Sequence, residues 1–201
     1  MSLVELLVAI AVLGVLSSVT AVSVATFRES TMKSKSTSNL RQLATANLTY
    51  ASEHGTFCPS QSADNNTRWH GWRPNAGVAF DPSKGYLAPY LGRDGRIGQC
   101  PKMEEILEEH GSGNSFELGT GGYGYSDAYI GGTPAFTKFS DRNVGIAHTI
   151  PERMVNVVEP AKTVMFTTTA FQRGQNVQEY AYCHPYQFCT GGMYYGTPLP
   201  S

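Results

Sequence analysis

The sequence predicts an α+β chain: a long N-terminal helix whose apolar half protrudes, with its C-terminal half packed on a small antiparallel sheet with long loops. Three observations predict it. Residues 3–27 hold a single charge, Glu5, and the next charged residue is Arg28. Apolar residues recur at helical spacing through residues 40–51. Strand-like stretches at "YGYSDAYI", "RMVNVV" and "TVMFTTTAF" are separated by turn residues with no helical crossover between them, so antiparallel pairing is the economical arrangement. The chain divides accordingly into 1–27, an apolar membrane or filament-core helix; 28–55, its amphipathic continuation; and 56–201, a loop-rich globular β domain.

The first segment has the length of a membrane span, which takes about 20 mostly apolar residues. A charge near the centre of such a helix costs about 3 kcal/mol, less near an end. A carboxylate kept at Glu5 therefore points to a partner and a function. A secretory signal peptide would carry Lys or Arg ahead of the apolar stretch, and none precedes Arg28. A plain anchor accounts for the length and leaves Glu5 unexplained. A buried helix of a soluble domain would need apolar partners on every side, and the Gly-, Tyr- and Ser-rich remainder is poor in aliphatics.

In the continuation, Leu40, Leu43, Ala44, Asn47, Tyr50 and Ala51 share one face, with Arg41, Ser52 and Glu53 elsewhere. A helix from Leu3 to about His54 would be about 80 Å long. Gly14 and the cluster Ser17, Ser18, Thr20 and Ser23 lower helix propensity, so a bend or melted turn is expected between Gly14 and Ser23. Gly55 and Pro59 in "HGTFCP" end the helix. Residues 59–98 read as loop, with Trp69, Trp72, Phe80, Tyr86 and Tyr90 among Pro and Gly. "PKMEEILEEHG" reads as a short amphipathic helix with Pro101 in its first turn and Gly111 past its end.

Net charge is −1 and the basic residues are scattered, so no nucleic-acid footprint is present. The four cysteines, on a domain placed outside the cytoplasm by an anchored N-terminus, predict disulfides. Three connectivities are open. Cys58 with Cys100 is favoured because each precedes a proline and together they bracket the aromatic loop; Cys183 with Cys189 is favoured because they flank Pro185 closely. On the chain-entropy relation the larger loop contributes about 4 kcal/mol and the smaller about 2.

Several motifs are weighed and set aside. "GTGGYG", Gly119 to Gly124, matches a nucleotide-binding fingerprint in letters, but a strand pattern follows it where a helix is required. Glu105, Glu108, Glu109 and His110 could approach a cation from one short helix, yet they read as a solvated acidic face, so no metal and no cofactor are expected. Cys183 and His184 are neighbours, and neighbours on a strand face opposite ways, which argues against a catalytic dyad. The expectation is a non-enzyme.

The stretch "SLVELLVAIAVLGVL" resembles the mature N-terminus of type IV pilins and type II secretion pseudopilins, close to F-T-L-I-E-L-L-V-V-I-A-I-I-G-I-L. "NLRQLATANLTYASEHGTFCP", "QCP", "GYGYSDAYIGG" and "EPAKTVMF" resemble later stretches of a pilin-like subfamily. Two features depart from it. The subfamily's C-terminal H-x9-D-G is absent, the chain after His184 reading "PYQFCTGGMYYG", and the helix-kinking proline is Val22 here.

The resemblance implies that Met1 is the processed, N-methylated first residue, that Glu5 is the family's assembly glutamate and that Gly14 is its helix-loosening glycine. It also implies an inner-membrane stage before assembly, a prepilin peptidase and a motor-driven assembly machinery. The expected function is the repeating subunit of a helical extracellular filament, a homo-oligomer at the cell surface. Glu5 is expected to neutralise the α-amino group of Met1 in a neighbouring copy. The alternatives are a type II secretion pseudopilin and a membrane-anchored extracellular binding module that engages sugars through Trp69, Trp72 and Tyr86.

Overall fold

The computed structural model describes residues 2–92, 94–110, 117–127, 129–132, 150–174 and 176–183, with backbone alone at 15–23, 25, 110 and 173. Helix α1, Leu3–His54, opens the chain. It starts at a capping box: Ser2 Oγ accepts from the Val4 N–H, and the Glu5 carboxylate accepts from the Ser2 N–H at 2.8 Å. It ends at Gly55, whose φ of 79° is open to glycine at little cost and whose N–H donates to Ala51 O. Residues 14–23 are helical throughout, so the turn expected to melt there does not. A single glycine costs about 1 kcal/mol in a helix, less than unmaking its hydrogen bonds without replacements.

The predicted fold is corrected on two counts. Among the described residues no helix is long and apolar enough to cross a membrane. Residues 26–54 of α1 carry Arg28, Glu29, Lys33, Lys35, Arg41 and Glu53 and bury one face, so that part is not a long apolar helix, and the protruding apolar helix is not shown. Among the described residues the expected single sheet is also replaced by three separate two-stranded antiparallel ladders. Strands β1 (Thr67–Arg68) and β2 (Gly71–Trp72) form the first. β3 (Tyr123–Tyr125) pairs with β4 (Phe166–Thr168), and β5 (Ala170–Arg173) pairs with β6 (Asn176–Glu179). Helix α2, Pro101–His110, lies between the first ladder and the second in sequence.

The strand expected over "TVMFTTTAF" is split at Thr169. Its N–H donates to Gly122 O and its hydroxyl to Tyr180 O, so the chain changes partners there, from β3 to β6. "RMVNVV" is no strand: Met154–Asn156 is a 3₁₀ turn.

The core forms where α1 meets these ladders. Among the described residues of α1, Asn39, Leu43, Ala46, Asn47 and Ala51 are buried; of the face read from the sequence, Leu43, Asn47 and Ala51 are buried and Leu40, Ala44 and Tyr50 half-buried. Leu43 and Ala51 join a cluster with Phe57, Trp69, Leu87, Met103, Tyr123, Tyr125 and Ile130. Trp69 is its centre: the ring lies 5.3 Å from that of Phe166 and 6.2 Å from that of Tyr125, and Nε1–H donates to Ala181 O at 2.8 Å. Both asparagines of α1 are hydrogen-bonded to the β domain. Asn39 Nδ2 donates to Gly98 O and to Tyr123 Oη, and Asn47 Nδ2 donates to Tyr125 Oη, while Asn47 Oδ1 accepts from the Cys58 N–H. Polar side chains thus register the helix on the β3 tyrosines, since each buried polar group needs its partner.

Candidate functional site

The predicted site residues are scattered over the molecule. Met1 and Cys189 lie outside the described residues. Glu5 caps α1 from within its own chain, a carboxylate at the positive end of the helix dipole. The signal was present in the sequence as S-x-x-E at residues 2–5, a capping box that a reading centred on membrane cost passes over. Around Glu5 the side chains of Leu3, Val4, Leu6, Leu7, Val8, Ile10, Val12 and Leu13 are all at least half exposed. A Cβ placed on Gly14 would meet nothing within 4 Å, so Gly14 makes room for no group of this chain.

Cys58 and Cys100 are free, buried thiols and not the predicted bridge. Cys58 is docked at Asn47 of α1, whereas Cys100 Sγ lies 3.7 Å from Ser36 Oγ. Those two anchor points are about 16 Å apart at 1.5 Å per helical residue. A disulfide needs Cα atoms within about 7 Å. Burial holds the Cys58 thiol well above its ordinary range. We expect neither thiol to react with maleimide in the native chain and both to react in denaturant without reductant; a disulfide-linked Cys58–Cys100 peptide would contradict the structure.

Cys183 is also a free thiol, half buried. It borders a groove with Ser126, Tyr129, Glu152 and Lys162. Burial, aided by the Asp127 carboxylate, pushes its pKa up to about 12, so it is protonated at neutral pH and a poor nucleophile. His184 lies outside the described residues.

The glycine-rich turn is occupied by the chain itself. Glu179 accepts from Gly119 N–H and Thr120 N–H, each at 2.9 Å, and from Thr120 Oγ1 at 3.1 Å, while its other oxygen accepts from Gln99 Nε2. Donors that a phosphate would use are satisfied by this buried carboxylate. On α2, Glu105 pairs with Lys102 at 2.6 Å on an exposed face. No group of three His, Cys, Asp or Glu side chains converges on a metal position among the described residues. Trp69 is core; Trp72 and Tyr86 are half buried and, of the three aromatics weighed for sugars, only these reach solvent.

A buried charge cluster went unread in "TRWHGWRP". Arg68 pairs with Glu117, both side chains almost fully buried. Arg68 Nε donates to Asn65 Oδ1, and its guanidinium lies over the Phe80 and Tyr182 rings at 4.9 and 5.2 Å. Arg73 lies over the same Phe80 ring at 4.2 Å. Burial raises the Glu117 carboxyl above its ordinary value, against the pull of Arg68 and Arg73. Burial also lowers Arg73, with Arg68 acting in the same direction. The cluster joins the first ladder to the segment before β3. Comparison with protein-family models, with curated proteins and with solved structures finds no match to this chain.

Proposed function

We propose that this chain is the repeating subunit of an extracellular helical filament of the type IV pilus kind, assembled through the apolar beginning of α1. The observation that carries the reading is the exposure of eight aliphatic side chains between Leu3 and Leu13. Burying each against other copies contributes about 1.5–3 kcal/mol. Together that reaches the scale of the 4–15 kcal/mol, roughly, that association costs in lost freedom. A head-to-tail contact that does not close into a ring generates a helical polymer, which suits one sticky end beside a folded domain. The resemblance of residues 2–16 to the pilin N-terminus supports the same reading, which carries with it an inner-membrane stage and a prepilin peptidase before export. On this reading Glu5 exchanges its cap on Ser2 for the α-amino group of Met1 in the next copy.

Electron microscopy of material sheared from the surface of cells that make the protein tests this. Long filaments containing the chain are expected, and a chain found only as monomers would defeat the reading. Two substitutions separate the charge of Glu5 from its cap. Glu5→Gln keeps an acceptor for the Ser2 N–H but not the charge, whereas Glu5→Ala removes both. An unpaired charge buried in an assembled core costs about 3–5 kcal/mol. Both variants are therefore expected to lose filaments by at least about 100-fold. Normal filaments from Glu5→Gln would confine Glu5 to helix capping.

A further inference from the structure

His70, in the turn between β1 and β2, is 1% exposed, and neither ring nitrogen has a hydrogen-bond partner. Its ring stands edge-on to Trp69 at 5.1 Å and to Phe80 at 4.6 Å. Three segments close over it. The 81–85 segment presses so near that a Cβ on Gly85 would lie 2.6 Å from the His70 carbonyl carbon and 2.4 Å from Gly71 N. The glycine-rich turn brings Gly119 alongside, where a Cβ would stand 3.7 Å from His70 Nδ1. The third segment is 67–73, the ladder and the residue after it, whose Arg68 and Arg73 share the Phe80 ring with His70.

Among the described residues, the cations beside this ring outnumber the carboxylates. Arg68 of β1 and Arg73, which follows β2, are the two cations. From the segment before β3 comes one carboxylate, Glu117, held by Arg68. Glu179 is committed to the turn at Gly119 and Thr120. Tyr182, beneath Arg68, is a neutral phenol raised far above its ordinary range by burial. Asp81 and Lys84, on the 81–85 segment, pair with each other at 2.9 Å near the surface. A protonated His70 would be a third cation beside two guanidiniums, buried and with neither N–H bonded.

We propose that His70 is an acid-sensitive latch: protonating its ring forces apart the ladder, the 81–85 segment and the glycine-rich turn that close over it. Burial first, then Arg68 and Arg73, hold the imidazole well below its ordinary range. A histidine depressed on folding contributes stability that is complete above its unfolded value, about 6.5, and is lost as pH falls below it. Glu117, raised on folding, acts in the opposite sense: its contribution is lost as pH rises through its folded value. A comparison at fixed Glu117 therefore isolates His70.

The test is urea unfolding of the full chain in detergent micelles at pH 7.5 and 5.0, followed by the fluorescence of Trp69 and Trp72. Between these two pH values His70 is expected to lower the folding equilibrium constant by up to about 30-fold, tenfold per pH unit below 6.5. His70→Phe, which keeps the aromatic packing and cannot be charged, is expected to remove most of that fall. An equal fall in both chains overturns the latch. Imidazole NMR of the unaltered chain gives a second reading that needs no variant. The His70 resonances are expected to stay those of a neutral ring until the tertiary signals are lost, and smooth titration near 6.5 in a still-packed domain overturns the proposal.

Discussion

Glu117→Ala is expected to destabilise the domain by about 3–5 kcal/mol, the cost of leaving a buried charge without its partner. The pair it breaks is nearly fully buried, with Arg68 and Glu117 side chains 3% and 5% exposed. Removing the carboxylate takes from Arg68 its buried ion-pair partner, beside the Phe80 ring over which Arg73 also lies. Glu117→Gln keeps an acceptor for Arg68 and should cost less. Replacing both partners, Arg68→Met with Glu117→Leu, is expected to lie closer to neutral, since apolar substitutes remove the desolvation cost on both sides; Asn65, which loses its bond from Arg68 Nε, retains some penalty. Denaturant midpoints of the four chains check this. A Glu117→Ala loss below about 1 kcal/mol would mean that water reaches the cluster.

The second large effect is expected at Asn47. Asn47→Leu conserves volume but strips the Cys58 N–H of its acceptor and Tyr125 Oη of its donor. Both are buried, and each unsatisfied group costs about 1–3 kcal/mol, so a total near 4 kcal/mol is expected. Tyr125→Phe removes the other half of the contact, and also the bond its hydroxyl donates to Cys58 O at 2.8 Å. The two changes share one hydrogen bond, so the double variant should lose less than the sum of the singles. Additive losses in that cycle would show that Asn47 and Tyr125 do not act through each other. Hydrogen exchange at the Cys58 amide should accelerate in Asn47→Leu ahead of global unfolding.

These two sites show where a sequence stops being legible. Asn47 was placed on the packed face of its helix by spacing alone, and it is buried there. Its partners, Cys58 and a tyrosine 78 residues on, were not visible, because a helical period says which way a side chain faces and not what it meets. "TRWHGWRP" read as an aromatic loop. Arg68, His70 and Arg73 are buried because Glu117, 49 residues later, and the rings of Phe80 and Tyr182 cover them. The cysteines failed in the same way. Proximity in sequence to prolines favoured Cys58 with Cys100, but the Cys58 backbone N–H and the Cys100 thiol meet different turns of α1.

The sequence by itself determined what depends on neighbours along the chain. The helical face from Leu40 to Ala51, the stop at Gly55, the start of α2 at Pro101 and the capping box at Ser2 and Glu5 are written within a few residues each. Such features rest on local backbone geometry and on side chains that reach three or four positions. Tertiary structure alone decided the strand partners, the change of partner at Thr169, the closure of the glycine-rich turn on Glu179 and the burial of His70 among arginines. In these cases a hydrogen bond or a charge is satisfied by a group tens of residues away. Its energy depends on the surroundings that the rest of the chain builds, and those surroundings exist only once the chain has folded.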